Sequence, residues 1–125
     1  MFFKTLLTAI ALLLFTSCSS SNDPKEIALQ LCEYNKVGDI ESIKEYASDE
    51  LKVQLGDLET MLTMAKKTKE GRDLIQQQEK YMETINCQET TKVSQEEDGS
   101  FRVSNAKIEL DFKLKMQDGS WKMFK

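Results

Sequence analysis

Three cysteines are the residues best equipped for covalent chemistry in this chain, because it contains no histidine. Histidine is the usual general base near neutral pH and the commonest metal ligand. Without it, serine-histidine and cysteine-histidine nucleophilic systems are excluded. Cys18, Cys32 and Cys87 therefore have three fates open to them: attachment of lipid, disulfide bonding, or burial as free thiols. Carboxylates are plentiful, but Glu96-Glu97-Asp98 lacks the spacing of a calcium loop and reads as a solvated turn. No glycine-rich phosphate loop is present. These observations assign no catalytic residue and no metal ligand, imply no cofactor, and predict a protein that is not an enzyme.

The surroundings of Cys18 differ from those of the other two. Lys4 supplies a positive start, and Leu6 to Phe15 forms an apolar run of ten residues, well short of the roughly 20 that span a bilayer as a helix. The run ends in Leu14-Phe15-Thr16-Ser17-Cys18, small residues standing directly before the cysteine. This resembles the lipobox of bacterial lipoproteins, with Phe15 where leucine is usual. The resemblance implies a signal peptide over residues 1–17, cleavage before Cys18, and diacylglycerol and palmitate-type chains on that cysteine. Two or more acyl chains give stable anchoring where one is marginal. Ser19 to Asn22 then form a tether reaching about 14 Å when extended. The expected address is a bacterial cell envelope, lipid-anchored and facing the periplasm or the surface. Ser19, in place of the aspartate that retains many lipoproteins at the inner membrane, leans towards the outer membrane.

Loss of Lys4 with the signal leaves 16 basic against 21 acidic side chains, so the formal net charge moves from −4 to −5. An acidic domain lacks the basic face that neutralises phosphates, which argues against nucleic acid as a partner. The remaining length accommodates one small domain over residues 24–125, after a lipidated cysteine and tether at 18–23.

That domain divides by hydrophobic period. Asp23-Pro24-Lys25-Glu26 is a helix start, and Ile27, Leu31 and Tyr34 with Ala28 and Cys32 form an apolar stripe that Gly38 closes. Asp39 caps a short second helix with Ile40, Ile43, Tyr46 and Ala47. A third begins near Ser48 and carries a seam of Leu51, Leu55, Leu58, Leu62 and Ala65, flanked by Met61 and Met64 as gap fillers or lining for an adaptable pocket. After Gly71 a last helical stretch runs from Leu74 to about Tyr81. From Thr84 the period becomes two, and Asp98-Gly99-Ser100-Phe101 recurs as Asp118-Gly119-Ser120-Trp121. Two Asp-Gly turns predict a three-strand antiparallel meander. Its first strand carries Ile85, Cys87, Thr91 and Val93. The second runs from Phe101 to Met116, with a bulge near Ser104-Asn105 where the phase shifts, and the third holds Trp121 and Met123. Cys32 and Cys87 both fall on inward faces, so they form either a disulfide or two buried thiols, and export favours the bond.

Helices followed by strands make an α+β class, with N-terminal helices packed on a curved antiparallel sheet. Gly38-Asp39 with Tyr46, and Asp118-Gly119-Ser120-Trp121-Lys122 near the end, resemble the nuclear transport factor 2-like superfamily, the cystatin-like α+β roll, and its small bacterial lipoproteins in particular. The resemblance covers residues 24–125. It implies a pocket between sheet and helices, without fixing an activity. A steroid-isomerase type of site in that superfamily needs a carboxylate in an apolar pocket, whereas Glu109 and Asp111 alternate with apolar residues and should face solvent. The expected function is non-catalytic binding of a small apolar ligand or an envelope protein at the concave face. A structural or inhibitory interaction module without a pocket is the alternative, and ligand-binding residues are not assigned. Substituting Cys18→Ser should move the protein from the membrane fraction to the soluble fraction; a variant that still sediments with membranes refutes the lipid anchor.

Overall fold

The computed structural model describes residues 23–125. The signal peptide assigned to 1–17 and the lipidation at Cys18 lie outside the described residues. The class is α+β: among the described residues, five helices are followed by a four-stranded open antiparallel sheet in the order β1-β2-β3-β4. Among the described residues, no helix is long and apolar enough to cross a membrane.

Helix α1, Pro24–Val37, starts as its residues dictate. The Asp23 carboxylate accepts from the Lys25 N–H at 3.1 Å, and Pro24 occupies a position whose N–H needs no partner. It ends in a Schellman motif. Gly38 at φ 71° lets its own N–H reach the Asn35 carbonyl and that of Asp39 reach the Tyr34 carbonyl. Asp39 in turn caps α2, Ile40–Tyr46, accepting from the Ser42 N–H and hydroxyl. Helix α3 spans Asp49–Ala65 and α4 spans Lys69–Glu83. Gly71 lies inside the first turn of α4 and does not precede it, because Thr68 is the cap and its hydroxyl accepts from the Gly71 N–H.

The sheet departs from expectation in two places. Cys87 sits in a four-residue helix, α5 (Cys87–Thr90), not on a strand. Asn86 caps it, and Ile85 and Cys87 point inward all the same, which is why they mimicked a strand pattern. The meander also has four strands, not three: β1 Lys92–Gln95, β2 Phe101–Asn105, β3 Leu110–Gln117 and β4 Ser120–Phe124. The phase shift near Ser104-Asn105 is a chain reversal and not a bulge. Asn105 pairs with Leu110 across a four-residue loop, the Asn105 side-chain oxygen accepts from the Lys107 N–H, and Glu109 takes φ 54°. The Asp118-Gly119 turn joins β3 to β4 with both residues at positive φ, the geometry of a type I′ hairpin. At the Asp98 turn, hydrogen bonds from the Ser100 hydroxyl and N–H hold the Asp98 carboxyl below the usual range. That exposed contribution is present above the unfolded carboxylate range and is lost as pH falls through the depressed value.

One face of the sheet meets the helices. Val103, Phe112, Leu114 and Met123 pack with Ile27, Ala28, Leu31 and Ile43 in a single core, and Phe101 meets Trp121 edge to face at 5.5 Å. The buried apolar residues come from α1, α2, the α2–α3 link, the 85–87 segment and strands β2 to β4, and none from α3 or α4.

Two joints hold the helical and sheet halves together. Cys32 on α1 is disulfide-bonded to Cys87 on α5, with Cα atoms 5.9 Å apart and both residues buried. The Asn105 amide donates to the hydroxyls of Thr90 and Thr91 and lies 3.6 Å from the Cys32 sulfur. At the other end of the sheet, the Ser48 N–H donates to the Met123 carbonyl at 3.1 Å, and the Lys122 ammonium donates to the Glu45 carbonyl at 2.8 Å. The outer edge of β4 is thereby covered by the α2–α3 link. A disulfide across 55 residues stabilises by about 4 kcal/mol through the entropy of the unfolded chain. Paired Cys32→Ser and Cys87→Ser substitution should lower stability to urea by about that amount, with the denaturation midpoint as the readout.

Candidate functional site

A cleft of about 460 Å³ lies where the C-terminal ends of α1 and α3 meet α2, α4 and the sheet. Its volume is that of a small-molecule site. The sheet contributes Leu110 and Met123 to its floor, and α2 contributes Ile40 and Ile43. Leu55, Leu58 and Leu62 of α3 form one wall; Ile75 and Met82 of α4 form the facing one. These are successive positions of two amphipathic stripes, each at helical spacing. Polar groups are few: Asn35, Lys36, Lys66, Gln78 and Glu79. The Asn35 side chain is turned to the Leu31 carbonyl at 3.4 Å.

The leucine seam of α3 therefore packs only in part against the core. Leu51 and Leu55 do so, while Leu58 keeps 43% of its surface exposed. Met61 and Met64 neither fill gaps nor line this cleft; they stand on the outer side of α3, 66% and 63% exposed, and Leu74 on α4 is 65% exposed. Two polar contacts hold the wall. Lys44 of α2 pairs with Glu41 and with Glu59 of α3, and its hydrogen bond to Glu59 raises the ammonium above the usual lysine value. The Tyr81 hydroxyl of α4 donates to the Lys107 carbonyl at 3.0 Å. Desolvation, followed by Tyr34 and Glu45, raises Tyr46, whose hydroxyl donates to the Gln30 side chain.

A larger hollow of about 720 Å³ borders Asp23, Lys25, Leu29, Gln88 and the start of β1. Its lining mixes polar side chains with Leu29, Val93 and Phe101, and it abuts the boundary of the described residues, so no site is assigned to it. Asp111 is exposed and pairs with Arg102 at 3.2 Å, and Glu109 occupies the β2–β3 turn, so neither carboxylate reaches the cleft. Among the described residues, no three metal-binding side chains converge. Cys32 and Cys87 form the structural bond described above, away from the cleft lining. Comparison of the chain with protein-family models, with curated proteins and with solved structures returned no match.

A pocket between sheet and helices was implied by the resemblance, but its lining was not assigned, because it comes from segments as distant as Asn35 and Met123. The usable signal was the α3 seam together with Ile75 and Met82, seven residues apart on one face of α4 with polar Gln78 and Glu79 between them. The turn between these helices fixes their separation. A Cβ on Gly71 would stand 1.9 Å from the Ala65 carbonyl oxygen, whereas one on Gly56, inside α3, meets nothing within 4 Å. Gly71→Ala should therefore force the turn open and cost about 1–3 kcal/mol. Gly56→Ala should add about 0.5–1 kcal/mol through helix propensity. Thermal melts of the two variants give opposite signs if this geometry holds.

Proposed function

We propose that the protein is a non-catalytic, membrane-anchored envelope lipoprotein with a nuclear transport factor 2-like roll, and that it holds a small apolar or amphipathic ligand in this cleft. The supporting observation is the cleft itself: an apolar cavity between sheet and helices, with few polar groups, and a wall made of helices that bury no side chain completely. Such a wall can move at low cost, because elements with little buried surface open at low free energy. Catalysis is not part of the reading, since the cleft is lined by no histidine or cysteine and its one carboxylate among the described residues, Glu79, is exposed.

A second reading has its own observation. Met61, Met64 and Leu74 expose apolar surface on the outer side of α3 and α4, which suits an interaction module whose partner never enters the cleft. Titration with N-phenyl-1-naphthylamine, whose fluorescence rises in apolar surroundings, separates the two. The protein for this test is residues 19–125 with its disulfide formed, which retains every described element and needs no detergent. Saturable binding at one dye per chain is expected. Leu58→Asp, at a half-exposed cleft position, should weaken it by at least about tenfold, because the carboxylate would lose water on dye binding. Met61→Asp should leave it unchanged. Absence of saturable binding, or sensitivity to Met61→Asp alone, favours the interaction module.

A further inference from the structure

We infer that the ligand of the cleft is an anionic single-chain amphiphile: an aliphatic chain among the leucines of α3, with an oxyanion head group at Lys36 and Lys66. This rests on the reading of the cleft as a ligand site. Lys36 in the last turn of α1 and Lys66 at the end of α3 are brought to the same cavity from different elements. A lysine at a helix C-terminus ordinarily offsets the negative end of the helix dipole. Here both helix ends have other partners. The terminal carbonyls of α1 accept from the N–H groups of Gly38 and Asp39, and the Lys66 carbonyl at the end of α3 accepts from the Arg72 guanidinium at 2.9 Å. The two ammonium groups are thus left available.

Their carboxylate partners are equally sparse. Among the described residues, Lys66 has no carboxylate within ion-pair distance, and Lys36 has only Glu33 at 3.9 Å. Lys44 and Arg102, by contrast, are paired with acids. Glu79, the cleft's carboxylate, reaches neither lysine at 4 Å. In a chain whose formal net charge is −4, two lysines at an apolar cavity, one with no ion-pair partner among the described residues and one with only Glu33 at 3.9 Å, are the reverse of the average surface. An anion with a short or absent chain would leave the leucine wall wet, and a neutral chain would leave the ammonium groups without an acceptor. An anionic amphiphile satisfies both.

Competition with the bound naphthylamine dye tests this with four probes of equal chain length, each below its micelle concentration: dodecanoate, dodecyl phosphate, dodecanol and dodecyltrimethylammonium. The two anions should displace dye at about tenfold lower concentration than dodecanol, and the cation should compete worst. The advantage should shrink as salt is raised and vanish in the Lys36→Gln, Lys66→Gln double variant, which should still bind dye. The order of dodecanoate and dodecyl phosphate identifies the preferred oxyanion. Equal displacement by all four probes, or an anion advantage that survives in the double variant, overturns the head-group assignment while leaving the cleft as an apolar site. Absence of dye binding to the unmodified protein overturns both.

Discussion

The bond between Cys32 and Cys87 is the constraint on which the arrangement of helices and sheet depends most. Its importance follows from the poverty of the core. Among the described residues, apolar burial is confined to α1, α2, short linking segments and the inner face of β2 to β4, so a layer of two helices on a small sheet carries the hydrophobic stabilisation. Helices α3 and α4 add length without adding a completely buried side chain. A cross-link over 55 residues fixes α1 against the segment that leads into β1. Asn105 completes that corner. Its amide satisfies Thr90 and Thr91 while its oxygen shapes the β2–β3 turn, so one buried polar side chain links the disulfide environment to the strand reversal. The far edge, at β4, is held by Ser48 and Lys122.

Local signals with a stereochemical cause were legible. Asp23-Pro24, Gly38-Asp39 and Asp118-Gly119 each act within a few residues, and each fixes a helix start, a helix stop or a hairpin where the sequence placed it. The missed turn at Ala106 to Glu109 had no glycine, and a glutamate at φ 54° is a conformation that sequence patterns do not announce. The phase shift was correctly located, yet a bulge and a reversal share it, and only the Asn105 side chain, bonding two residues onward, distinguishes them. Cys87 illustrates the opposite error. Inward positions two residues apart fit a strand, but a single helical turn capped by Asn86 also places Ile85 and Cys87 on the core side. The pairing of the two cysteines was left open by the residues and is fixed by proximity in the fold.

The lining of the cleft was illegible for a different reason: it is a deficit, and deficits depend on how much surface neighbouring elements can cover. The α3 seam offers five apolar positions at helical spacing, more than α2 and the edge of β4 can bury. Helix α4 faces it with Ile75 and Met82 but also with Gln78 and Glu79. Interdigitation stops where the polar residues begin, and the turn at Gly71, with backbone already tight against Ala65, prevents closer approach there. Lys44 and Glu59 hold α3 to α2 from the opposite side. The hollow is therefore kept open by turn geometry and side-chain chemistry together, in contrast to a cavity left by imperfect packing, which neighbouring side chains would partly fill.

The position of the cleft along α1 bears on how a ligand would arrive. Helix α1 begins beside Asp23 and ends at the cleft, and its 14 residues span about 21 Å. If Cys18 carries lipid, the anchor joins the domain at the opposite end of that helix from Lys36. The five residues from Cys18 to Asn22 reach only about 17 Å when extended, less than the length of α1. On the proposed anchoring, the cleft lies at the end of α1 away from the point of membrane attachment. A ligand chain would have to cross water or be handed over by another carrier, and a wall of two helices with no completely buried side chain is suited to opening for that transfer. The proposed anchor and the proposed ligand site are thus separated by the length of one helix, whose two ends are fixed by Asp23 and Gly38, the capping residues most plainly written in the sequence.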